Sequence, residues 1–262
     1  MKMKLYQVDA FAEELFTGNP AAVVPLEKWL PDELMQKIAM ENNLAETAYY
    51  VKEGDHYRIR WFTPKFEVDL CGHATLATAH VMLHHENIPG NEIHFQSRSG
   101  ELVVTKKDEM LTLDFPADPA EKIEFFPELL AGFNIQPLEA YKGKMDYLLV
   151  FENEKQIREL QPDLRAISKL KSRGAIVTAK GDQADFVSRY FAPFFGIDED
   201  PVTGSAHTVL TPYWSKKLGK KELSAIQISE RTGHLKCVDR GERIEISGKA
   251  QTYLIGEIRI NN

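Results

Sequence analysis

The hydrophobic and polar positions of the chain read first as a strand, Leu5 to Phe11, and a turn cluster, Thr17-Gly18-Asn19-Pro20, leads from it into the apolar run Ala21 to Val24. A helix follows. Pro31 suits a first helical position, Asp32 and Glu33 favour the positive end of the helix dipole, and Leu34, Met35, Ile38 and Ala39 recur at helical spacing. Strands are expected near Thr47–Val51 and Tyr57–Phe62, then a helix from Ala74 to His85 whose small Ala74, Ala77 and Ala79 permit close packing inside a barrel or between sheets. The pattern then turns to β at Glu92–Ser97, Glu101–Lys106 and Met110–Phe115, with Lys107-Asp108-Glu109 as a hairpin tip and Asp114-Phe115-Pro116 closing the unit. The second half reads similarly: strands near Tyr147–Phe151, Ala175–Thr178 and Asp185–Phe191, a helix from Ala206 to Leu218, and further strands to Ile260. Pro212 is expected to kink or interrupt that helix.

An internal repeat organises these elements. Arg60-Trp61-Phe62-Thr63-Pro64 matches Arg189-Tyr190-Phe191-Ala192-Pro193, and each is followed by acidic residues, a Gly-polar-Ala turn and a helix-like run. The turns are Asp69-Leu70-Cys71-Gly72-His73-Ala74 and Pro201-Val202-Thr203-Gly204-Ser205-Ala206. The offset is 189 − 60 = 129 at the arginine and 204 − 72 = 132 at the glycine, so three residues are inserted between them. Duplication implies two similar lobes, here 1–117 and 118–262, whose shared cleft is the natural place for a ligand.

Composition narrows the class. The 262 residues are 43% hydrophobic and 27% charged with 16 Gly, 13 Pro and 2 Cys, values of a folded globular protein rather than a disordered, collagen-like or disulfide-rich one. A net charge of −7 argues against nucleic acid as a partner. No apolar window approaches the roughly 20 residues of a membrane helix, and Met1-Lys2-Met3-Lys4 leads into a mixed polar segment rather than a signal-peptide core, so a soluble, cytoplasmic protein without a membrane partner is expected. Cys71 and Cys237 lack metal-ligand spacing.

Each Gly-polar-Ala turn lies where a helix should begin, with outward N–H groups and a positive dipole end, and two such ends can hold a carboxylate or stabilise an enolate-like charge. Around them stand His73 beside Gly72, and Asp200, Ser205 and His207 around Gly204. Glu46 interrupts the otherwise nearly uncharged stretch Leu44 to Tyr50, where a partly buried carboxyl of raised pKa would serve as a general acid/base. Each has a plainer reading: tight turns for the glycines, caps for His73 and Ser205, a turn for Asp200, an exposed position for Glu46.

Asn19-Pro20-Ala21, Leu44-Ala45-Glu46-Thr47, Phe62-Thr63-Pro64, Asp69 to Thr75 and Glu199 to His207 together resemble the PhzF-like phenazine-biosynthesis family, of the diaminopimelate epimerase-like fold. The resemblance implies an α+β protein of two pseudo-symmetric lobes, each a β-barrel-like sheet around a central helix, with an active site in the cleft and no cofactor. It also implies an isomerase moving a proton on a small carboxylate-bearing substrate, with Glu46 as acid/base, assisted by His73, Asp200 and Ser205. Asn19, Gly72 and Gly204 would bind substrate, no metal would be held, and a homodimer would form. The epimerases of this fold place a cysteine before each of the two glycines; here Cys71 is kept but Thr203 stands at the second position, which disfavours a two-thiol racemase. Other classes fit less well. Thr203-Gly204-Ser205-Ala206-His207 lacks a Gly-x-Ser-x-Gly elbow, His84-His85-Glu86 lacks zinc spacing, and no dinucleotide or Walker motif is present. An epimerase or racemase of the same fold and a non-catalytic small-ligand-binding protein remain the alternatives.

Overall fold

The structure is a computed structural model in which residues 1–260 are described. In chain order its elements are β1 (Lys2–Ala10), β2 (Asn19–Leu26), α1 (Asp32–Asn42), β3 (Glu46–Glu53), β4 (His56–Phe62), β5 (Glu67–Val68), α2 (Gly72–His84), β6 (Glu92–Ser97), β7 (Gly100–Lys107) and β8 (Met110–Pro116). There follow β9 (Glu121–Ile123), α3 (Pro127–Leu130), β10 (Glu139–Lys142), β11 (Asp146–Val150), α4 (Glu154–Glu159), α5 (Leu164–Ile167), β12 (Gly174–Lys180) and β13 (Phe186–Phe191). The chain finishes through α6 (Gly204–Leu218), β14 (Glu222–Gln227), β15 (Gly233–Asp239), β16 (Arg243–Gly248) and β17 (Ala250–Arg259). The expected strands and both long helices are present; the short helices α3 to α5 and the strands β5, β9 and β10 lie outside the sequence expectation.

The chain divides into two compact units, one of Met1–Asp114 with the stretch that begins at Ser247, the other Phe115–Ile246. This differs from a division at 117/118 with all later residues in the second lobe. The reason is register: β17 runs antiparallel to β1 from Lys2↔Arg259 to Ala10↔Ala250, so the last strand belongs to the first unit.

Within each unit the connections are the same. In the first, β1 pairs antiparallel with β2, β2 parallel with β3, β3 antiparallel with β4, β4 parallel with β6 and β6 antiparallel with β7. In the second, β10, β11, β12, β13, β14 and β15 repeat that series of antiparallel and parallel pairings in the same order. The matched pentapeptides lie on β4 and β13, and their arginines do the same work. Arg60 forks onto Glu67 through Nε and Nη2 at 2.7 and 2.8 Å, and Arg189 forks onto Glu199 at 2.8 Å for both bonds. The three extra residues of the second copy fall between arginine and carboxylate, where Pro193–Phe195 forms a 3-10 turn.

Each unit wraps its strands around one long helix. Every residue of α2 from His73 to Ala79 is buried, Ala74, Ala77 and Ala79 completely, and the helix meets β1, β2, β3, β7 and β17. In α6 the run Ala206 to Thr211 is buried, against β11, β14 and β15. A helix apolar on all sides is stable only when enclosed. Met35, Ile38 and Ala39 of α1 pack with Val24, Tyr49 and Phe62, while Leu129, Ile157 and Ile167 of the short helices pack with Phe151, Val177 and Phe191. Pro212 does not interrupt α6. The carbonyl it leaves without an intrahelical donor, that of Thr208, instead accepts the Asp118 N–H at 3.1 Å, so the acceptor that a mid-helix proline strands is satisfied.

Two histidines on these helices are kept neutral. Burial, reinforced by the neighbouring His84, His85 and Lys106, lowers His80 to about 3, and burial lowers His207 to about 4 although its Nδ1 bonds the Thr203 carbonyl at 2.8 Å. The unfolded chain therefore binds more protons than the folded one between those values and the ordinary imidazole pKa of about 6.5. Stability should accordingly be full above that pH and fall on acidification by about 1.4 kcal/mol per pH unit for each histidine. Urea unfolding followed from pH 7.5 to 5 checks this: the double variant His80→Gln, His207→Gln should show a distinctly shallower loss than the parent.

Candidate active site

The first unit gathers Glu46, His73, Cys71 and Asn19 at the head of α2. Glu46 opens β3 beside Ala21 of the parallel strand β2. Asn19 opens β2, and the turn before it needs Gly18, whose φ is +69° and whose position would bring any Cβ within 2.3 Å of the Ala10 carbonyl. Cys71 caps α2 in extended conformation without a side-chain capping bond; its carbonyl accepts both the N–H and the Oγ1 of Thr75 at 3.2 and 2.6 Å. His73 thus enters on the first turn with its ring enclosed.

The two ring nitrogens face different partners. Nε2 stands 3.0 Å from Glu46 Oε2, close enough for an ion pair but not aligned as a hydrogen bond, and neither buried atom has another hydrogen-bond partner among the described residues. Nδ1 lies 3.3 Å from Asn19 Nδ2 and 3.5 Å from Cys71 Sγ. Burial alone would depress His73, but its contacts with Cys71 and Glu46 outweigh it and hold the imidazole well above its usual value. Burial, with the Glu46 charge adding to it, pushes the Cys71 thiol up to about 11, so at neutral pH the carboxylate is the partner that matters. Glu46, Cys71 and His73 offer donor atoms within 4.8 Å of one another. The carboxylate faces Nε2 of the ring and the thiol faces Nδ1.

In the second unit the head of α6 carries a different group. Asp200 is buried, and its Oδ2 accepts the Thr203 hydroxyl at 2.5 Å. Gly204 is the first residue of α6 and Ser205 is half-buried on its first turn. His207 is not part of a site: it is fully buried, bonded to the helix cap and packed against Phe186. Gln227 of β14, which no sequence motif marked, accepts the Thr203 N–H at 2.9 Å.

Register shows what each copy has lost. Thr47 lies opposite Phe62 and Ala175 opposite Phe191, so the counterpart of Glu46 is Gly174. A Cβ there would lie 2.6 Å from the Tyr190 ring, so no carboxylate fits. By the same alignment His73 corresponds to Ser205 and Cys71 to Thr203.

The comparisons with known proteins agree with this architecture. The family model for phenazine biosynthesis-like proteins (PhzC-PhzF) matches residues 8–256, and the chain belongs to that family. It is 49% identical to an uncharacterized isomerase of Pseudomonas aeruginosa, with 100% of both chains covered. A PhzF-family crystal structure from Enterococcus faecalis superposes with a TM-score of 0.97 at 50% identity, covering 99% of this chain and 100% of that one. A hydroxyproline epimerase from Agrobacterium vitis shares the fold at a TM-score of 0.62 and 11% identity, over 98% of this chain and 92% of its own. The fold is the expected α+β, diaminopimelate epimerase-like one, and the named relatives support an isomerase-type function. Among the described residues no helix is long and apolar enough to cross a membrane.

The electrostatics of Cys71 generate a prediction. With its thiol near 11 and that of Cys237 near 12, both raised by burial, neither is the thiolate that reacts. A disulfide-exchange reagent at pH 8 should leave both cysteines unmodified in the folded protein and label both after unfolding; rapid labelling of Cys71 in the native state would contradict this environment.

Proposed function

We propose that the protein is a cofactor-independent isomerase that relocates a proton on a small carboxylate-bearing substrate, with Glu46 as the acid/base. The observation that carries this reading is the buried Glu46–His73 pair, 3.0 Å apart, whose facing atoms Oε2 and Nε2 have no hydrogen-bond partner among the described residues and whose counterparts in the other unit are Gly174 and Ser205. A single carboxylate then removes the proton from a carbon beside an electron-withdrawing group and delivers it to another carbon of the same conjugated system, so no redox partner is required. The imidazolium of His73 stabilises the carboxylate while the proton is on the substrate. Gly72, at the first turn of α2, supplies backbone donors for the substrate carboxylate and for enolate-like charge, with Asn19 assisting, and the family resemblance is the ground for assigning Gly204, Asp200 and Ser205 to the same reaction. Racemisation by two opposed bases is disfavoured, since neither the carboxylate nor the thiol of the first unit is repeated in the second. The family resemblance is also the ground for a homodimer, which sedimentation would test.

Incubation with a panel of small unsaturated and hydroxy acids in heavy water, read by mass spectrometry, should reveal substrates by deuterium incorporation. With a substrate in hand, Glu46→Gln should lower turnover by about 10²–10⁴-fold while leaving the fold intact. Cys71→Ala should keep most of the activity. Near-normal turnover in Glu46→Gln would remove the acid/base assignment, and inactivation of a folded Cys71→Ala would restore a thiol mechanism.

A further inference from the structure

The turn Asp200 to Thr203 is braced at each residue. The Asp200 N–H donates to the Tyr190 carbonyl at 3.0 Å, Ser229 Oγ donates to the Pro201 carbonyl at 2.8 Å, and Val202 presses on Gly233, where a Cβ would lie 2.1 Å from Val202 Cγ2. Gln227, fully buried, makes three further bonds: its Oε1 accepts the Thr203 N–H at 2.9 Å, and its Nε2 donates to the Asp200 carbonyl at 2.7 Å and to Thr203 Oγ1 at 3.2 Å. The amide has only this orientation, because turning it over would set oxygen against oxygen and N–H against N–H. Thr203 Oγ1, already an acceptor from Gln227, then directs its one hydrogen at Asp200 Oδ2. At 2.5 Å that contact falls in the range of an O–H···O⁻ bond to an ionised carboxylate.

The first unit keeps the backbone brace, Ser99 Oγ donating to the Asp69 carbonyl at 2.9 Å as Ser229 does to that of Pro201, but not the side chains Asp200, Thr203 and Gln227. Val68 pairs with Trp61 as Asp200 bonds to the matching Tyr190, so Val68 is the counterpart of Asp200, and Cys71 is that of Thr203. The register of β4 with β6, Arg58↔Gln96, set beside Ser188↔Gln227 makes Ser97 the counterpart of Gln227. Donor, relay and acceptor are present together in one copy and absent together from the other, which is the behaviour of a functional set rather than of three separate packing choices.

We infer that Thr203, fixed by Gln227, is a positioning residue that orients the Asp200 carboxylate and keeps it ionised for the reaction. This rests on the reading that Asp200 assists proton transfer. The position occupied by a catalytic thiol in the epimerases would here serve a neighbouring carboxylate instead of the substrate. Among the described residues, the titratable and charged groups around this turn include Tyr190, which senses the Asp200 charge and whose hydroxyl bonds Asp146, the Arg173 guanidinium paired with that Asp146, and Glu199 held by Arg189.

The test is a carboxyl-carbon NMR titration of the full chain labelled at aspartate, with the Asp200 signal assigned by Asp200→Asn. Thr203→Val should move the Asp200 titration to higher pH, and Thr203→Ser should return it to the parent value, a rescue that a purely structural role would not require. In the unaltered protein the Asp200 carboxyl signal should also shift between light and heavy water, because the Thr203 proton lies on it; this reading holds even if Thr203→Val fails to fold. An unshifted titration in a folded Thr203→Val, or no solvent isotope shift in the parent, would overturn the inference. With a substrate, Thr203→Val should lower kcat roughly tenfold, the scale of a hydrogen bond to a charged group, with KM little changed. A shifted titration with unchanged kcat would uphold the brace and remove Asp200 from the reaction.

Discussion

Everything at the two helix heads hangs on one contact made twice: a half-buried arginine forked onto a carboxylate. Arg60 and Arg189 leave the ends of β4 and β13, and the acidic residues they hold lie a few positions before α2 and α6, so each fork fixes where its helix begins. The third nitrogen ties in another layer. Arg60 Nη1 donates to Asp32 at the start of α1, and Arg189 Nη1 donates to the carbonyls of Ile157 and Leu160 near the end of α4. The guanidinium groups also lie over Phe62 and Phe191, 5.2 and 4.9 Å from the ring centroids. Such ion pairs add little net stability, because desolvation offsets much of the attraction, but losing one partner strands a charge and planar bidentate geometry tolerates no other register.

A common frame is thereby filled with different chemistry. The first copy sets Glu46 against His73; the second sets Asp200 against Thr203 and Gln227. Both helices have the same support, and each copy carries polar groups at positions where the other has none. Gly174 is the clearest mark of this, since the Tyr190 ring occupies the space a Glu46-like side chain would need.

The sequence showed the frame more fully than the fittings. Strands and long helices follow from apolar runs, and the arginine-aromatic-phenylalanine repeat gave both the duplication and the inserted turn. Glu46 stood out because a carboxyl in an otherwise uncharged stretch is costly to bury without purpose, and His73 because it sits beside Gly72 at the start of a helix. Gln227 gave no signal: it lies 24 residues beyond Thr203, and only the parallel pairing of β13 with β14 brings it to the turn. Pro212 misled for a related reason, the rescuing N–H of Asp118 being supplied by a distant part of the chain. The return of β17 to β1 was likewise invisible, since strand composition does not name a partner.

That return sets an order of assembly during synthesis. The second unit is one continuous stretch, Phe115–Ile246, and has all its strands once Ile246 has left the ribosome. The first unit, although translated earlier, must wait with β1 lacking one neighbour until β17 emerges. The segment that holds Glu46 and His73 is therefore the last to gain its full sheet, and a nascent chain stalled before Ala250 would present an open strand edge for other chains to pair with.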